Sequence, residues 1–175
     1  MMESSDNRIR AEVLFTFARI ALVEAGVESK VASTTAEGLC SASIRGVDSH
    51  GIRLLPHYLE ELEGGRINPD PDFEFERTAA SIGRFDADHT YGLAAGKRAM
   101  EHAIELAEDS GVGHVSVRNS SHCGSMAYFG LMPPEHDMIG HATTHGTANT
   151  QTPGSSRPFF GNNPICVAAP MADEG

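Results

Sequence analysis

The sequence predicts an α+β fold in which a helical N-terminal part precedes a part built of short strands and helices. In the first part, apolar residues recur at helical spacing until "EGGRINPDPD" (residues 63–72) interrupts the pattern with paired glycines and prolines. After Pro71 the apolar residues alternate as in strands, and one long amphipathic stretch separates them. We therefore predict a helical unit over residues 1–71 and an α/β unit with a mixed sheet over residues 72–175.

Helices are predicted in the first unit over residues 6–25, over residues 27–46, and from about Ser49 onward. Gly26 ends the first of them, and the glycine pair 64–65 ends the last. Their apolar positions are Ile9, Val13, Phe17, Ile20 and Ala21 on one face of the first helix, Val31, Ala32, Thr35, Leu39 and Cys40 facing inward in the second, and Leu54, Leu55, Tyr58, Leu59 and Leu62 in the third.

The second unit is predicted to contain strands, a long helix and two loops. The long helix ends at Gly111, and a shorter helical stretch breaks at Pro133-Pro134. In chain order we expect short strands in 73–88 with Phe73, Phe75 and Ile82 as apolar positions, the helix 91–111, a buried strand 112–119, a loop 120–125, the helical stretch 126–132, a strand 137–144, a long loop 145–164, a buried strand 165–170 and a turn 171–175.

Composition excludes several classes of protein. The net charge is −11 and basic residues form no stripe, so nucleic acid is not an expected partner. Apolar runs are too short to cross a bilayer, and the polar start "MMESSDNRIR" lacks a secretory signal, so we expect a cytoplasmic protein without membrane contact. The three cysteines lie far apart, which argues against a disulfide framework and a cysteine zinc site.

Several familiar motifs fail on inspection. "GVGHVS" lacks the third glycine of a dinucleotide fingerprint and precedes a strand, and "GLAAGKR" lacks the spacing and hydroxyl of a phosphate loop. The nine histidines show no zinc-type spacing, so we expect no metal site. A small metal-dependent hydrolase that uses His50, His122, His141 and His145 is the weakest of the functions considered.

The stretch "GVDSHGIRLLPHY" (residues 46–58) places Asp48, Ser49 and His50 where a helix is expected to start. If Ser49 caps that helix, the positive end of the helix dipole lowers the pKa of His50 and favours the neutral imidazole. Ser49 could also hydrogen-bond the ring and fix its tautomer. A neutral histidine can accept a proton from a substrate alcohol. The alternative is an ordinary capped helix with a surface histidine in its first turn.

Two loops are further candidates for a site. "RNSSHCGS" (residues 118–125) follows a strand, which places His122 and the amides of Gly124 and Ser125 where α/β structures usually bind ligands. Without a partner, His122 is simply a loop residue. The loop 145–164 is long and polar, as functional or disordered loops are, and Phe159 and Phe160 are expected to anchor its end.

Taken together, these segments resemble the malate/L-lactate dehydrogenase family of the second type, which includes ureidoglycolate, sulfolactate and cyclic-imine reductase relatives. The matching text is "RGVDSHGIRLLPHY", "GGRINP", "RNSSHCG" and "GNNPICVAAP", with the segment 92–119, which contains the long helix, between them. The resemblance covers almost the whole chain. Because family members are about twice this length, it implies a truncated, N-terminal half.

The resemblance implies an NAD- or NADP-dependent oxidoreductase that interconverts a 2-hydroxy acid and a 2-keto acid. Members use a cofactor domain that is not the Rossmann fold, and they work as homodimers. Residues 1–71 then form the substrate and dimer side, and residues 72–175 form part of the cofactor domain. The residues that match the family's site are Ser49, His50 and His122 as catalytic, and His122, Cys123, Gly124, Ser125, Met126, Thr144 and Gly146 as cofactor-binding.

The substrate contacts implied by the resemblance are Arg53, as a clamp for the carboxylate, and Asn162. Relatives often carry the arginine one place later, where this chain has Leu54, and many have a threonine in place of Asn162. "TTHG" replaces the family's Thr-Asn-Ser, and Pro133 and Pro134 shorten a helix.

The alternative to an active enzyme is a non-catalytic remnant, or one part of a split enzyme that needs a separate C-terminal half. A half-length chain would leave the apolar faces of the first two helices and of the sheet uncovered.

Overall fold

A computed structural model describes residues 8–171, and it confirms the predicted α+β class. Helix α1 spans Ala11–Glu24 and α2 spans Ser29–Ile44. Glu28 caps α2, because its carboxylate accepts the N–H groups of Lys30 and Val31 at 2.7 and 3.0 Å. The two helices pack against each other as the first layer of the molecule.

The third helix, α3, spans Leu55–Glu63 and so begins later than predicted. Two short 3₁₀ turns, Asp48–His50 and Ile52–Leu54, precede it, and the extended residue Gly51 separates them. Gly51 lies against Ser43 of α2, whose hydroxyl accepts the Ile52 N–H at 3.0 Å. The extended backbone of Gly51 interrupts a helix from Ser49, and the turn at Asp48–His50 has no side-chain cap, so the predicted Ser49 cap is wrong.

A three-stranded mixed sheet follows. Strands β1 (Glu74–Ala79) and β2 (Ile82–Asp86) are antiparallel, while β2 and β3 (His114–Arg118) are parallel. The crossover between β2 and β3 is α4 (Gly92–Ser110), which ends at Gly111 with the left-handed φ of 80° that favours glycine. The predicted strands and the long helix are confirmed.

The expectation that β3 is buried is wrong. It is an edge strand of the sheet, and most of its residues are exposed, with Val115 half-buried against the core. Helix α4 covers the Phe85 face of the sheet, and the opposite face exposes Ile82. Strand β3 therefore lacks the cover on both faces that its valines suggested.

The C-terminal region forms two small antiparallel pairs. After the short helix α5 (Ala127–Gly130) and the 3₁₀ turn Pro133–His136, strand β4 (Gly140–Thr143) pairs with β7 (Ile165–Ala168). The prediction of a buried final strand is wrong, because Ile165 and Val167 are exposed and only Cys166 and Ala168 are half-buried. The predicted turn 171–175 lies almost wholly outside the described residues.

The long loop 145–164 contains a hairpin that the sequence did not predict, β5 (Ala148–Thr150) paired with β6 (Phe160–Gly161). Phe159 and Phe160 do not anchor it in the core. Both rings are exposed and pack on each other, with centroids 5.0 Å apart.

The main core joins the two predicted units. Leu22 and Leu39 of the first two helices share one cluster with Tyr58, Leu93 and Phe129. The division at residue 71 remains a prediction, since this cluster contains side chains from both sides of it. A smaller cluster around Phe85 lies between the sheet and α4.

Helix α1 has one buried and one uncovered face. Ala18 and Leu22 are fully buried, whereas Val13, Phe17 and Ile20 are exposed, Phe17 by 62%. The expectation of an uncovered apolar face is confirmed for α1. It is wrong for α2, whose predicted inward residues are buried, including Leu39. No helix within residues 8–171 combines the length and the hydropathy that a membrane crossing requires.

Candidate active site

Two histidines from distant parts of the chain meet at the surface. His50 lies in the 3₁₀ turn after α2, and His122 lies in the loop between β3 and α5. Their rings stack with centroids 5.7 Å apart and an angle of 26° between the planes. The structure thus brings together the two imidazoles that the family resemblance names as catalytic.

Ser49 supports the first ring. Its hydroxyl lies 2.9 Å from Nδ1 of His50, which is the contact that the sequence predicted. The contact occupies Nδ1 and leaves Nε2 as the nitrogen available to a ligand. The expected effect of a helix dipole on His50 is wrong, because α3 begins only at Leu55.

A buried tyrosine lies beneath the second ring. The hydroxyl of Tyr58 is 3.0 Å from Nδ1 of His122, and it donates to the carbonyl oxygen of the same residue at 3.1 Å. Tyr58 is 2% exposed and its ring stacks on Tyr91, whose hydroxyl donates to the Tyr58 carbonyl at 2.7 Å. Burial raises the pKa of both tyrosines well above their usual range, so both hydroxyls keep their protons at neutral pH.

Sequence reasoning did not identify Tyr58 as a site residue. Its position on α3 fits the apolar helical pattern, which predicts one more core side chain. The available signal was the hydroxyl, because a buried tyrosine normally has a hydrogen-bond partner.

The surroundings of His122 favour its neutral form. Desolvation lowers the pKa of His122, and the nearby His50 and His57 lower it further because each can carry positive charge. The negative charge of Glu61 raises the pKa of His122. That carboxylate also forms an ion pair with Arg66 at 2.8 Å. At neutral pH His122 is therefore an uncharged ring that can accept a proton.

The cavity beside His122 is small. It is an indentation of about 160 Å³ that is open to solvent and has no enclosed room for a water-sized sphere. This indentation therefore does not enclose a dinucleotide. It is lined by His57, Tyr58, Glu61, Ile67, Tyr91, Ser121 and His122.

The loop after His122 turns into the core. Met126 is buried and Cys123 is half-buried, and Gly124 adopts a φ of 63° where a Cβ would come within 2.9 Å of Leu93. Burial raises the pKa of the Cys123 thiol, and a hydrogen bond with Thr144 opposes that effect. Within this loop His122 is exposed and Ser125 is half-buried, whereas Gly124 is buried.

Within residues 8–171, the remaining predicted substrate and cofactor residues Arg53, Gly146 and Asn162 make no hydrogen bond, ion pair or ring contact with the imidazole pair. A Cβ at Gly146 would lie 3.0 Å from the carbonyl oxygen of Asn162, so these two residues are neighbours. Arg53 is exposed, with no ion pair or hydrogen bond within residues 8–171.

The histidines outside the stacked pair include two that the metal-dependent hydrolase hypothesis would use. His141 of β4 and His145 are exposed. Among the described residues, no group of three or more histidine, cysteine or acidic side chains could hold a metal ion.

Comparison with known proteins identifies the family. The model of the malate/L-lactate dehydrogenase family matches residues 9–175. The chain belongs to this family. Its relatives include malate dehydrogenase of Pyrococcus abyssi, which is 36% identical over 93% of this chain and 45% of its own length. L-sulfolactate dehydrogenase of Methanocaldococcus jannaschii is 36% identical over 82% of this chain and 42% of its own length.

The fold agrees with this assignment. The structure of malate dehydrogenase from Pyrococcus horikoshii OT3 superposes with a TM-score of 0.90 at 35% identity, covering 95% of this chain and 48% of that one. The chain thus spans about half the length of the relatives that it matches, as the sequence predicted.

Proposed function

We propose that this chain is part of an NAD- or NADP-dependent oxidoreductase that interconverts a 2-hydroxy acid and a 2-keto acid by hydride transfer. The observation that carries the proposal is the stacked pair His50 and His122, each ring held through Nδ1 by a neighbouring hydroxyl. Membership of the malate/L-lactate dehydrogenase family and the names of the relatives support this class of substrate.

The donor set suits the reacting end of a nicotinamide cofactor. Ser49, His50, His122 and Ser125 offer neutral donors and acceptors, which suit an amide and an alcohol. The loop 121–126 contains no lysine or arginine for a pyrophosphate. Of the cofactor residues implied by the resemblance, His122, Ser125 and the main chain of the loop would hold the nicotinamide. Cys123 and Met126 would support that loop from the core.

The proton is the part of the reaction that this chain handles. When bound, the nicotinamide supplies the acceptor or the donor of the hydride. As the hydroxyl of a 2-hydroxy acid becomes a carbonyl, its proton must leave, and a neutral imidazole within hydrogen-bond reach can take it. We assign this proton to Nε2 of His50, with Ser49 keeping the ring in place, and we assign His122 to the cofactor side. In the reverse direction His50 returns the proton to the carbonyl oxygen.

Arg53 and Asn162 are proposed as substrate contacts. A guanidinium can bind the carboxylate of the acid through two parallel hydrogen bonds. The exposed position of Arg53, three residues after His50, is compatible with that role. Asn162, beside Gly146, would offer its amide to the substrate. Thr144 and Gly146 remain proposed as cofactor contacts.

We also propose that the protein works as a homodimer in the cytoplasm. The uncovered apolar side chains of α1 support a contact with a second subunit, because exposed apolar patches often mark interfaces. Sedimentation of the purified chain tests this: a dimer supports the proposal, and a monomer at all concentrations contradicts it.

A second candidate is a split or inactive form of the enzyme. It is favoured by the half-length match to the relatives and by the uncovered face of α1. Nicotinamide fluorescence with NADH and with NADPH separates the two candidates. Binding by the chain alone supports a self-sufficient site. Binding that requires a fragment with the remaining half of the family's length supports a split enzyme.

A further inference from the structure

The Tyr58 hydroxyl makes two contacts with one residue. Its oxygen is 3.0 Å from Nδ1 of His122 and 3.1 Å from the carbonyl oxygen of His122. A phenol has one proton to donate, whereas its oxygen can also accept a hydrogen bond. One O–H can serve two acceptors only as a weaker shared bond, so two full hydrogen bonds require the Tyr58 oxygen to donate in one and accept in the other.

The carbonyl oxygen decides how the proton is used. A carbonyl can only accept, so the contact at 3.1 Å requires the Tyr58 O–H to donate to it. The contact with the ring is then satisfied only if Nδ1 of His122 carries a proton and donates to the phenol oxygen. We propose that Tyr58 is a positioning residue that fixes His122 in its Nδ1–H tautomer and leaves Nε2 as the basic nitrogen.

This arrangement makes the two histidines alike. In each ring Nδ1 makes a hydrogen bond with a hydroxyl group, that of Ser49 or that of Tyr58. Neither Nε2 has a hydrogen-bond partner within residues 8–171. Tyr58 is itself held in place, because its ring stacks on Tyr91 and its carbonyl accepts the Tyr91 hydroxyl. The helix α3 thereby fixes the orientation of a ring that belongs to a distant loop.

A neutral hydroxyl suits this task better than a carboxylate. The buried Tyr58 hydroxyl keeps its proton at neutral pH, so it does not compete for the proton of the imidazole. Nδ1–H donates to the same oxygen whether Nε2 is empty or protonated. Tyr58 can therefore hold the ring while Nε2 gains and loses a proton. The tautomer does not depend on the enzymatic role of the site, but the use of Nε2 of His122 toward the cofactor rests on the proposed function.

Histidine-labelled protein gives a direct test by ¹⁵N nuclear magnetic resonance, which reports the protonated nitrogen of each ring. We expect neutral His122 in the wild-type chain to show a protonated Nδ1 and an unprotonated Nε2, with the signal assigned by His122→Gln. A protonated Nε2 with an unprotonated Nδ1 would overturn the proposal. This measurement needs no turnover, and the variant His122→Gln serves only to assign the signal.

Tyr58→Phe and Tyr91→Phe form a matched pair for the second measurement. Each removes one buried hydroxyl and keeps the aromatic ring, but only the Tyr58 hydroxyl contacts His122. We expect Tyr58→Phe to shift neutral His122 toward the Nε2–H tautomer and Tyr91→Phe to leave the wild-type tautomer. An unchanged tautomer in Tyr58→Phe, or an equal change in both variants, would overturn the proposal.

Turnover measurements distinguish a failure of the tautomer proposal from a failure of the proposed oxidoreductase function. Where wild-type turnover is measurable, Tyr58→Phe should lower kcat by about 10- to 100-fold, the range seen when histidine ligands lose their supporting hydrogen bonds at metal sites. Tyr91→Phe should lower it less. An Nδ1–H tautomer in a protein that oxidises no 2-hydroxy acid would refute the proposed function and leave the role of Tyr58 intact. Normal turnover in Tyr58→Phe would show that the tautomer is not used in catalysis.

Discussion

His50 and His122 stack with their ring centroids 5.7 Å apart, although they lie in different units of the predicted fold. Two imidazoles at this separation disfavour double protonation, because positive charge on His50 lowers the pKa of His122. The pair therefore carries at most one proton easily, which suits a site that takes up and releases a single proton in each turnover.

His50→Ala should lower turnover by about 10²- to 10⁴-fold, the usual contribution of a general acid–base group. Cofactor affinity should stay near the wild-type value, since His122 and its loop are unchanged. Steady-state kinetics and nicotinamide fluorescence measure the two effects. His114→Ala, at the far end of β3 from the His122 loop, serves as the control. Wild-type turnover in His50→Ala would refute its assigned role.

Stability should depend on pH through His122. Its pKa is lowered in the folded chain, so the unfolded chain takes up the proton first as the pH falls. The stability that neutral His122 contributes is complete above its pKa in the unfolded chain, about 6.5. It is lost as the pH falls through the lower pKa of the folded chain. Urea unfolding at about pH 7.5 and about pH 5.5 should show a smaller loss of stability for His122→Gln than for the wild type. Equal losses in the two proteins would contradict this prediction.

The two faces of α1 should respond differently to truncation. Leu22→Ala should lower the free energy of unfolding by about 2–5 kcal/mol, because it opens a cavity between α1 and α2. Phe17→Ala removes a larger but exposed side chain, so its effect on the monomer should stay within about 0.5 kcal/mol. Denaturant unfolding of the two variants at low protein concentration measures both values. A cost for Phe17→Ala as large as that of Leu22→Ala would place the ring in an interface or in the core.

Gly51→Ala should disturb the turn that carries His50. The added Cβ would overlap the Ser43 hydroxyl and lie 3.1 Å from the Ser43 main-chain nitrogen. We expect a cost of about 1–3 kcal/mol from overpacking, measured by denaturant unfolding. The double variant Ser43→Ala/Gly51→Ala should recover part of this cost, because the nearest atom is then absent. A single variant as stable as the wild type would show that the turn does not depend on this contact.

The helices and the mixed sheet could be predicted because apolar periodicity is strong where each element packs on one neighbour. The predicted face of α2 is buried around Leu39, and α4 ends at Gly111 as its glycine indicated. The start of α3 was missed although a signal was present. Proline is tolerated in the first turn of a helix, so Pro56 favours a start at Leu55 over one at Ser49.

Other features depend on contacts that periodicity does not encode. Val115 and Val117 read as a buried strand, but whether β3 is covered depends on what packs against that edge of the sheet. Tyr58 fits the core pattern of its helix, and its role depends on a loop that the chain brings against it much later. The pairing of His50 with His122 followed from the family resemblance, since neither local motif implies the other.

The most direct test of the account adds NADH, NADPH and a 2-keto acid to histidine-labelled protein while the imidazole resonances are followed. The account predicts that the resonances of His50 and His122 shift together with one of the cofactors, and that His102, stacked on Phe75 in the sheet unit, stays unchanged. Resonances of His50 and His122 that stay fixed at saturating cofactor, or that move no more than His102, would contradict it.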